Sequence, residues 1–104
     1  MKLEYTHRYT IEEATDRIRA LTEYWSTRHG IRVDWNGNAA SFGGKAKGVS
    51  FSGNVAIEAN IIRAEVKVGF LAEKLGGRAY VEGKMKDYLD PANTIDELRA
   101  RLTG

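Results

Sequence analysis

Hydrophobic and polar residues alternate along the middle of the chain, from Arg32 to Gly69. Because successive side chains of a strand point to opposite faces, this alternation predicts strands with one apolar and one polar face. Asn36-Gly37 and Ala59-Asn60 mark tight turns between such runs. The pattern therefore predicts a meander of four antiparallel strands. Its inward positions are Val33, Trp35, Ala40, Phe42, Gly44, Ala46, Val49, Phe51, Gly53, Val55, Ile57, Ile62, Ala64, Val66 and Val68.

The chain before the meander predicts a strand and a long helix. Residues Lys2 to Tyr9 also alternate, which is typical of a strand, and we place this strand at an edge of the sheet. Thr10 to Glu13 has the spacing of a capping box, so the helix begins there, and Gly30 is a typical terminator. The predicted apolar stripe of the helix is Ile11, Ala14, Ile18, Leu21 and Trp25, and the predicted opposite side carries Arg17, Arg19, Glu23 and Arg28.

The chain after the meander predicts further helices. Phe70 to Asp90 has helical spacing, but Gly76-Gly77 interrupts it at a cost of up to about 2 kcal/mol relative to alanine. The segment from Leu71 to Leu89 is therefore either one kinked helix or two short ones. A second capping box, Thr94 to Glu97, predicts a last helix at about residues 94–103, which is either part of the domain or an appendage to it.

These elements favour a single α+β domain over residues 1–104. The predicted order is β-α-β-β-β-β-α-α, with an antiparallel sheet of about five strands and helices packed on one of its faces. A sheet with one helical layer has a second face that no helix covers. We expect function, or contact with a second subunit, at that open face.

Composition and charge narrow the functional classes. The chain has 16 basic and 14 acidic residues, and this excess of two charges does not indicate a nucleic-acid partner. No cysteine is present, which excludes disulfides and thiolate chemistry. No apolar run reaches the roughly 20 residues of a transmembrane helix. We therefore expect a cytoplasmic protein.

No pattern of side chains indicates catalysis or metal binding. His7 and His29 are the two histidines, and neither has a further ligand at metal-binding spacing, so both are interpreted as structural. The string Gly43 to Gly48 is similar to a phosphate-binding loop, but no helix and no Ser or Thr follows its lysine. Glycines that let a strand bulge explain this string better. We expect no cofactor, no metal and no enzymatic activity.

One string identifies a family. Residues 44–57 read Gly-Lys-Ala-Lys-Gly-Val-Ser-Phe-Ser-Gly-Asn-Val-Ala-Ile, and an Arg-His-Gly at residues 28–30 precedes the strand of Trp35. Together with the order of elements, this resembles the polyhydroxyalkanoic acid system protein family over about residues 2–90. The resemblance implies a link to the synthesis or use of a storage polyester, and a place at the surface of polymer granules. It supplies no catalytic residues.

Two functional hypotheses follow. In the first, a non-enzymatic accessory protein contacts the polymer, a granule protein or a second copy of itself through the outer face of the sheet. That face is predicted to carry Ser41, Ser50, Ser52, Asn54 and Ala56. In the second, a small hydrophobic ligand binds between the curved sheet and the C-terminal helix, where Gly44 and Gly53 leave room. The predicted lining of this cavity is Trp35, Phe42, Phe51 and Met85.

Overall fold

A five-stranded antiparallel sheet forms one layer of the protein, and helices form the other. The computed structural model describes residues 1–46, 49–69 and 76–102. Its elements are β1 (Lys2–Thr6), α1 (Ile11–His29), β2 (Arg32–Asn36), β3 (Ala39–Ala46), β4 (Val49–Glu58), β5 (Ile61–Val68), α2 (Arg78–Leu89) and α3 (Ile95–Ala100). The predicted fold class and order of elements are confirmed.

The strands lie in the order β1-β5-β4-β3-β2, so the first strand pairs with the last one. Strands β2 to β5 form the predicted meander, and β1 occupies an edge as expected. Gly37 has a φ of 64° in the β2–β3 turn, and Asn60 has a φ of 69° in the β4–β5 turn. Both residue types tolerate this left-handed conformation, which explains why these turns are short.

Helix α1 lies across the apolar face of the sheet. Thr10 caps its first turn by accepting a hydrogen bond from the Glu13 amide at 3.0 Å, and Gly30 ends it in the left-handed conformation. The predicted stripe is buried at Ala14, Ile18, Leu21 and Trp25. It is wrong at Ile11, which is 41% exposed because it is the first residue of the helix and lies beyond the core.

The prediction that Arg17 faces away from the core is wrong. Its side chain is only 6% exposed. The guanidinium Nη1 donates to the carbonyl oxygens of Tyr88, Asp90 and Asn93 at 3.2, 3.2 and 2.8 Å. These carbonyls belong to the end of α2 and the connection to α3, where helix geometry leaves acceptors without partners. Arg17 therefore joins α1 to the C-terminal part of the fold.

The core lies between the sheet and the helices. At its centre, the Trp25 ring lies 5.7 Å from the rings of both Phe42 and Phe51, measured between centroids. Phe42 and Phe51 lie 6.0 Å from each other. A large apolar side chain contributes roughly 1.5–3 kcal/mol when it is fully buried, as Trp25 and Phe42 nearly are, so this cluster stabilises the packing of α1 on the sheet.

The C-terminal helices complete the core. Helix α2 begins at Arg78, directly after Gly77, and ends before Pro91. The first part of the predicted helical segment, residues 70–75, lies outside the described residues, so the choice between one helix and two stays open. Helix α3 has both hydrogen bonds of the predicted capping box at Thr94, and its Leu98 is fully buried in the core cluster.

Candidate functional site

The outer face of the sheet, opposite the helices, carries small side chains along its centre. In the register of β3 and β4, Ala39 lies opposite Ala56, Ser41 opposite Asn54 and Gly43 opposite Ser52. We call these six residues the small-residue strip. Its hydroxyl and amide side chains are exposed to solvent, whereas their neighbours along the strands, such as Val55 and Phe42, are buried on the inner face. The predicted division of the strands into two faces is confirmed at these positions.

Charged residues flank the strip on the side of β1 and β5. Arg63 lies between two carboxylates: its Nε donates to Glu58 at 3.1 Å, and its Nη1 contacts Glu4. In the next row, Lys2 of β1 lies opposite Glu65 of β5. All members of the Arg63 network are about half exposed, and such surface pairs contribute about 0–1 kcal/mol each. Arg63 lies directly opposite Ala56, so this network borders the strip along β5.

The flank on the side of β2 is different. Arg32 and Asp34 project from the outer face of this edge strand and are both exposed. Neither forms an ion pair or a hydrogen bond through its side chain with any residue in the described ranges. The two flanks therefore differ: Arg63 forms ion pairs with Glu4 and Glu58 on one side, whereas Arg32 and Asp34 of β2 have no ion-pair partner among the described residues.

Shallow depressions cover the outer face. One of about 540 Å³ lies over β1, β5 and β4 and includes Ala56 and Arg63. A second, of about 480 Å³, lies beside Arg32 and Ser41. A third, of about 280 Å³, includes Ser52 and Asn54. All three are open to solvent, so this face suits contact with an extended surface rather than enclosure of a small molecule.

The two histidines, the side chains best suited to catalysis or metal binding, make contacts within the fold. His7 is buried, its Nδ1 accepts from the Tyr9 amide at 3.1 Å, and its Nε2 lies 2.9 Å from the Glu58 carbonyl oxygen. His29 packs edge-on against Tyr24 at 6.2 Å. Within the described residues, no group of three or more His, Cys, Asp or Glu side chains could hold a metal ion. Both histidines thus have structural contacts.

Groups with shifted pKa values lie away from the outer face. Burial raises the pKa of the hydroxyl groups of Tyr5, Tyr80 and Tyr88, which lie on the inner face or in α2. A hydrogen bond from Arg101 lowers the pKa of Asp87 in α2. Shifted pKa values often mark catalytic sites, but these shifts follow from burial and from the ion pair between Asp87 and Arg101, the residue after α3.

The predicted cavity residues occupy different surroundings. Phe42 and Met85 line a void of about 20 Å³ between the sheet, α1 and α2, which is room for about one water molecule. Phe51 packs against Phe42, while Trp35 donates from Nε1 to Thr22 at 3.2 Å. A drug-sized ligand needs roughly 300–1,000 Å³, so it would have to separate the two layers. The ligand-binding role of these four residues stays a prediction.

A comparison with known protein families shows to which family the chain belongs. Residues 1–92 match the family described as "Putative polyhydroxyalkanoic acid system protein (PHA_gran_rgn)". The chain belongs to this family. The match covers the sheet, α1 and α2, whereas α3 lies beyond it. Neither a curated protein nor a solved structure matches the chain.

Membership confirms the resemblance that residues 44–57 indicated. Among the residues that the structure describes, no helix has both the length and the apolar character needed to cross a bilayer.

The contact between Glu4 and Arg63 was missed from the sequence, because the neighbour of β1 in the sheet depends on topology. Alternation assigns Glu4 to the outer face but does not identify the strand beside it.

Proposed function

We propose that the protein is a non-enzymatic accessory component of a polyhydroxyalkanoic acid system, and that the small-residue strip contacts the polyester surface. The observation that carries this proposal is the open outer face, whose centre bears Ser41, Ser52 and Asn54 among alanine and glycine residues. Family membership supports the connection with the polymer. The protein would work in the cytoplasm, at the surface of the granules.

The chemistry of the polymer supports this choice of surface. A polyester chain carries ester carbonyl acceptors and alkyl groups, but no hydrogen-bond donors between its ends. Serine hydroxyls and asparagine amides supply donors. On the sheet they recur about 4.8 Å apart between strands and about 7 Å apart along a strand. The strip therefore presents a regular set of donors to a surface that carries acceptors.

The small size of the side chains in the strip also supports its choice as the contact surface. Ordering a long side chain at an interface costs about 0.5–1.5 kcal/mol, whereas glycine and alanine have almost no rotamer freedom to lose. The strip can therefore approach a flat surface with little entropic cost. The Arg63 network and Lys2 form a charged rim, which keeps the remainder of the face hydrated.

Binding to particles of a poly(3-hydroxyalkanoate) tests the proposal. Purified protein should sediment with the particles, and the double variant Ser52→Glu, Asn54→Glu should lose at least about tenfold in affinity, because two charges would have to be desolvated at the contact. Ser26→Glu is the matched control, since Ser26 is exposed on α1 in the helical layer. Equal binding of the double variant and the wild-type protein would contradict the assignment to the outer face.

A further inference from the structure

We propose that two copies of the chain pair antiparallel through the free edge of β2, in a register centred on Val33, and so join their sheets into one. This proposal does not depend on the proposed function. It also differs from the sequence-based expectation of a dimer through the outer face, because the contact lies at the edge of the sheet.

The backbone of β2 has groups directed away from the sheet. The Ile57 amide donates to the Asn38 carbonyl at 2.8 Å, which makes Ala39 and Ala56 a pair without mutual hydrogen bonds. The backbone groups of Ala39 therefore face β2, where its partner is Asn36. The backbone N–H and C=O groups of a strand point to alternate sides from one residue to the next. Those of Asn36, Asp34 and Arg32 therefore bond to β3.

It follows that Val33 and Trp35 direct their amide and carbonyl groups to the free edge, where the described chain has no further strand. An antiparallel pair with a two-fold axis at Val33 lets the two Val33 residues exchange both hydrogen bonds. The same axis places Arg32 opposite Asp34 of the second copy, and Asp34 opposite its Arg32.

Charge selects this register. Directly opposite residues have Cβ atoms about 4.5–5.5 Å apart, so Arg32 and Asp34 of the two copies come within ion-pair distance on the outer face. A register centred on Asp34 would instead oppose the two Asp34 carboxylates. In the monomer these two side chains have no ion-pair partner in the described residues, so pairing breaks no ion pair within that part of the chain.

The other edge of the sheet is less suited to the same contact. On β1, a register centred on Leu3 would oppose Lys2 with Glu4 of the second copy. Glu4, however, already contacts Arg63 in its own chain, and that ion pair would compete. The difference between the two flanks thus favours β2, and the joined sheet would present two small-residue strips side by side.

Sedimentation equilibrium of the full chain tests the proposal. The wild-type protein should form a dimer whose affinity falls by roughly tenfold or more in Asp34→Arg and in Arg32→Glu, because each variant opposes like charges twice. The double variant Arg32→Glu, Asp34→Arg exchanges the charges and should restore the affinity. A protein that stays monomeric, or single variants without effect, would overturn the proposal.

Backbone variants distinguish the two edges. Val33→Pro removes an amide that points to the free edge, so the monomer should keep its fold while the dimer is lost. Lys2→Pro is the matched control: the Val66 amide donates to the Met1 carbonyl, so the Lys2 amide points to the free edge of β1. Loss of the dimer in Lys2→Pro but not in Val33→Pro would overturn the assignment to β2. In wild type, the Val33 amide should exchange its hydrogen more slowly as the dimer forms.

Discussion

The ring of Phe42 lies over Gly53, its partner across β3 and β4, and occupies the space that a side chain at position 53 would need. A Cβ atom added to Gly53 would lie 3.0 Å from Phe42 Cζ and would collide with the carbonyl oxygen of Glu65. The room that the sequence led us to expect above Gly53 is thus filled by Phe42. This arrangement places the Phe42 ring beside Trp25 in the core.

Gly53→Ala should destabilise the protein. The added methyl group meets the backbone of β5, which cannot move as a flexible side chain can, and overpacking of this kind costs about 1–3 kcal/mol. Gly83→Ala is the control, since an added Cβ in α2 would meet no described atom within 4 Å outside its chain neighbours and helix backbone, and alanine should stabilise the helix by about 0.5–1 kcal/mol. Urea denaturation measures both effects, and equal stabilities would contradict the close approach at Gly53.

Arg17→Met should cost about 2–4 kcal/mol of stability. The variant keeps an apolar stem but leaves the carbonyls of Tyr88 and Asn93 buried without this donor. Arg99→Met is a matched change at the surface, where the side chain is half exposed and 4.0 Å from Asp16, and should cost less than about 1 kcal/mol. Similar losses in both variants, measured by thermal unfolding, would show that Arg17 does not join the helices.

Asp87 should make the stability of the protein depend on pH in the acid range. The hydrogen bond from Arg101, at 2.6 Å, lowers the pKa of Asp87 in the folded state. The ionised Asp87 carboxylate therefore stabilises the folded state fully above the ordinary aspartate pKa, near 3.9. This stabilisation is lost as the pH falls through the lower pKa of the folded state. The destabilisation by Asp87→Asn should accordingly shrink on acidification.

Denaturant titrations of Asp87→Asn and the wild-type protein, repeated from neutral pH to about pH 3, measure this difference. Glu23→Gln is the control, because Glu23 is exposed on α1 and has no ion pair in the described residues. A gap between wild type and Asp87→Asn that stays constant over this range would mean that the Arg101 contact does not hold the carboxylate charged.

Leu98→Ala tests whether α3 is part of the domain or an appendage. Leu98 is fully buried in the common core, so the variant should lose about 2–5 kcal/mol over the whole unfolding transition. Ile95→Ala, at a half-buried position of the same helix, should lose less. If Leu98→Ala melted α3 alone and left the transition of the sheet unchanged, α3 would be an appendage.

Alternation predicted the sheet well because one face is buried and the other is wet, so each strand carries a period of two. The same logic placed Ser52 and Asn54 on the outer face. It could not give the neighbour of β1, since the pairing of Glu4 with Arg63 joins residues 59 positions apart. Periodicity is a local signal and contains no information on which strands meet.

Arg17 shows a different limit of the sequence. Its charge predicts exposure to solvent, because charged residues are rarely buried without partners. Its position nevertheless carried a signal: it lies three residues after Ala14 and four before Leu21, on the buried stripe of the helix. The acceptors that make its burial favourable are backbone carbonyls at the end of α2. No sequence motif marks such acceptors.

The pairing of β1 with β5 has a consequence for synthesis of the chain. β1 leaves the ribosome before β5, and the strand that it pairs with is complete only at Val68. Until then both β1 and the apolar stripe of α1 lack their partners, and such exposed segments are prone to self-association. Contacts this distant along a chain also slow folding. We therefore expect chaperones to bind the segment of β1 and α1 during elongation, until β5 has been made.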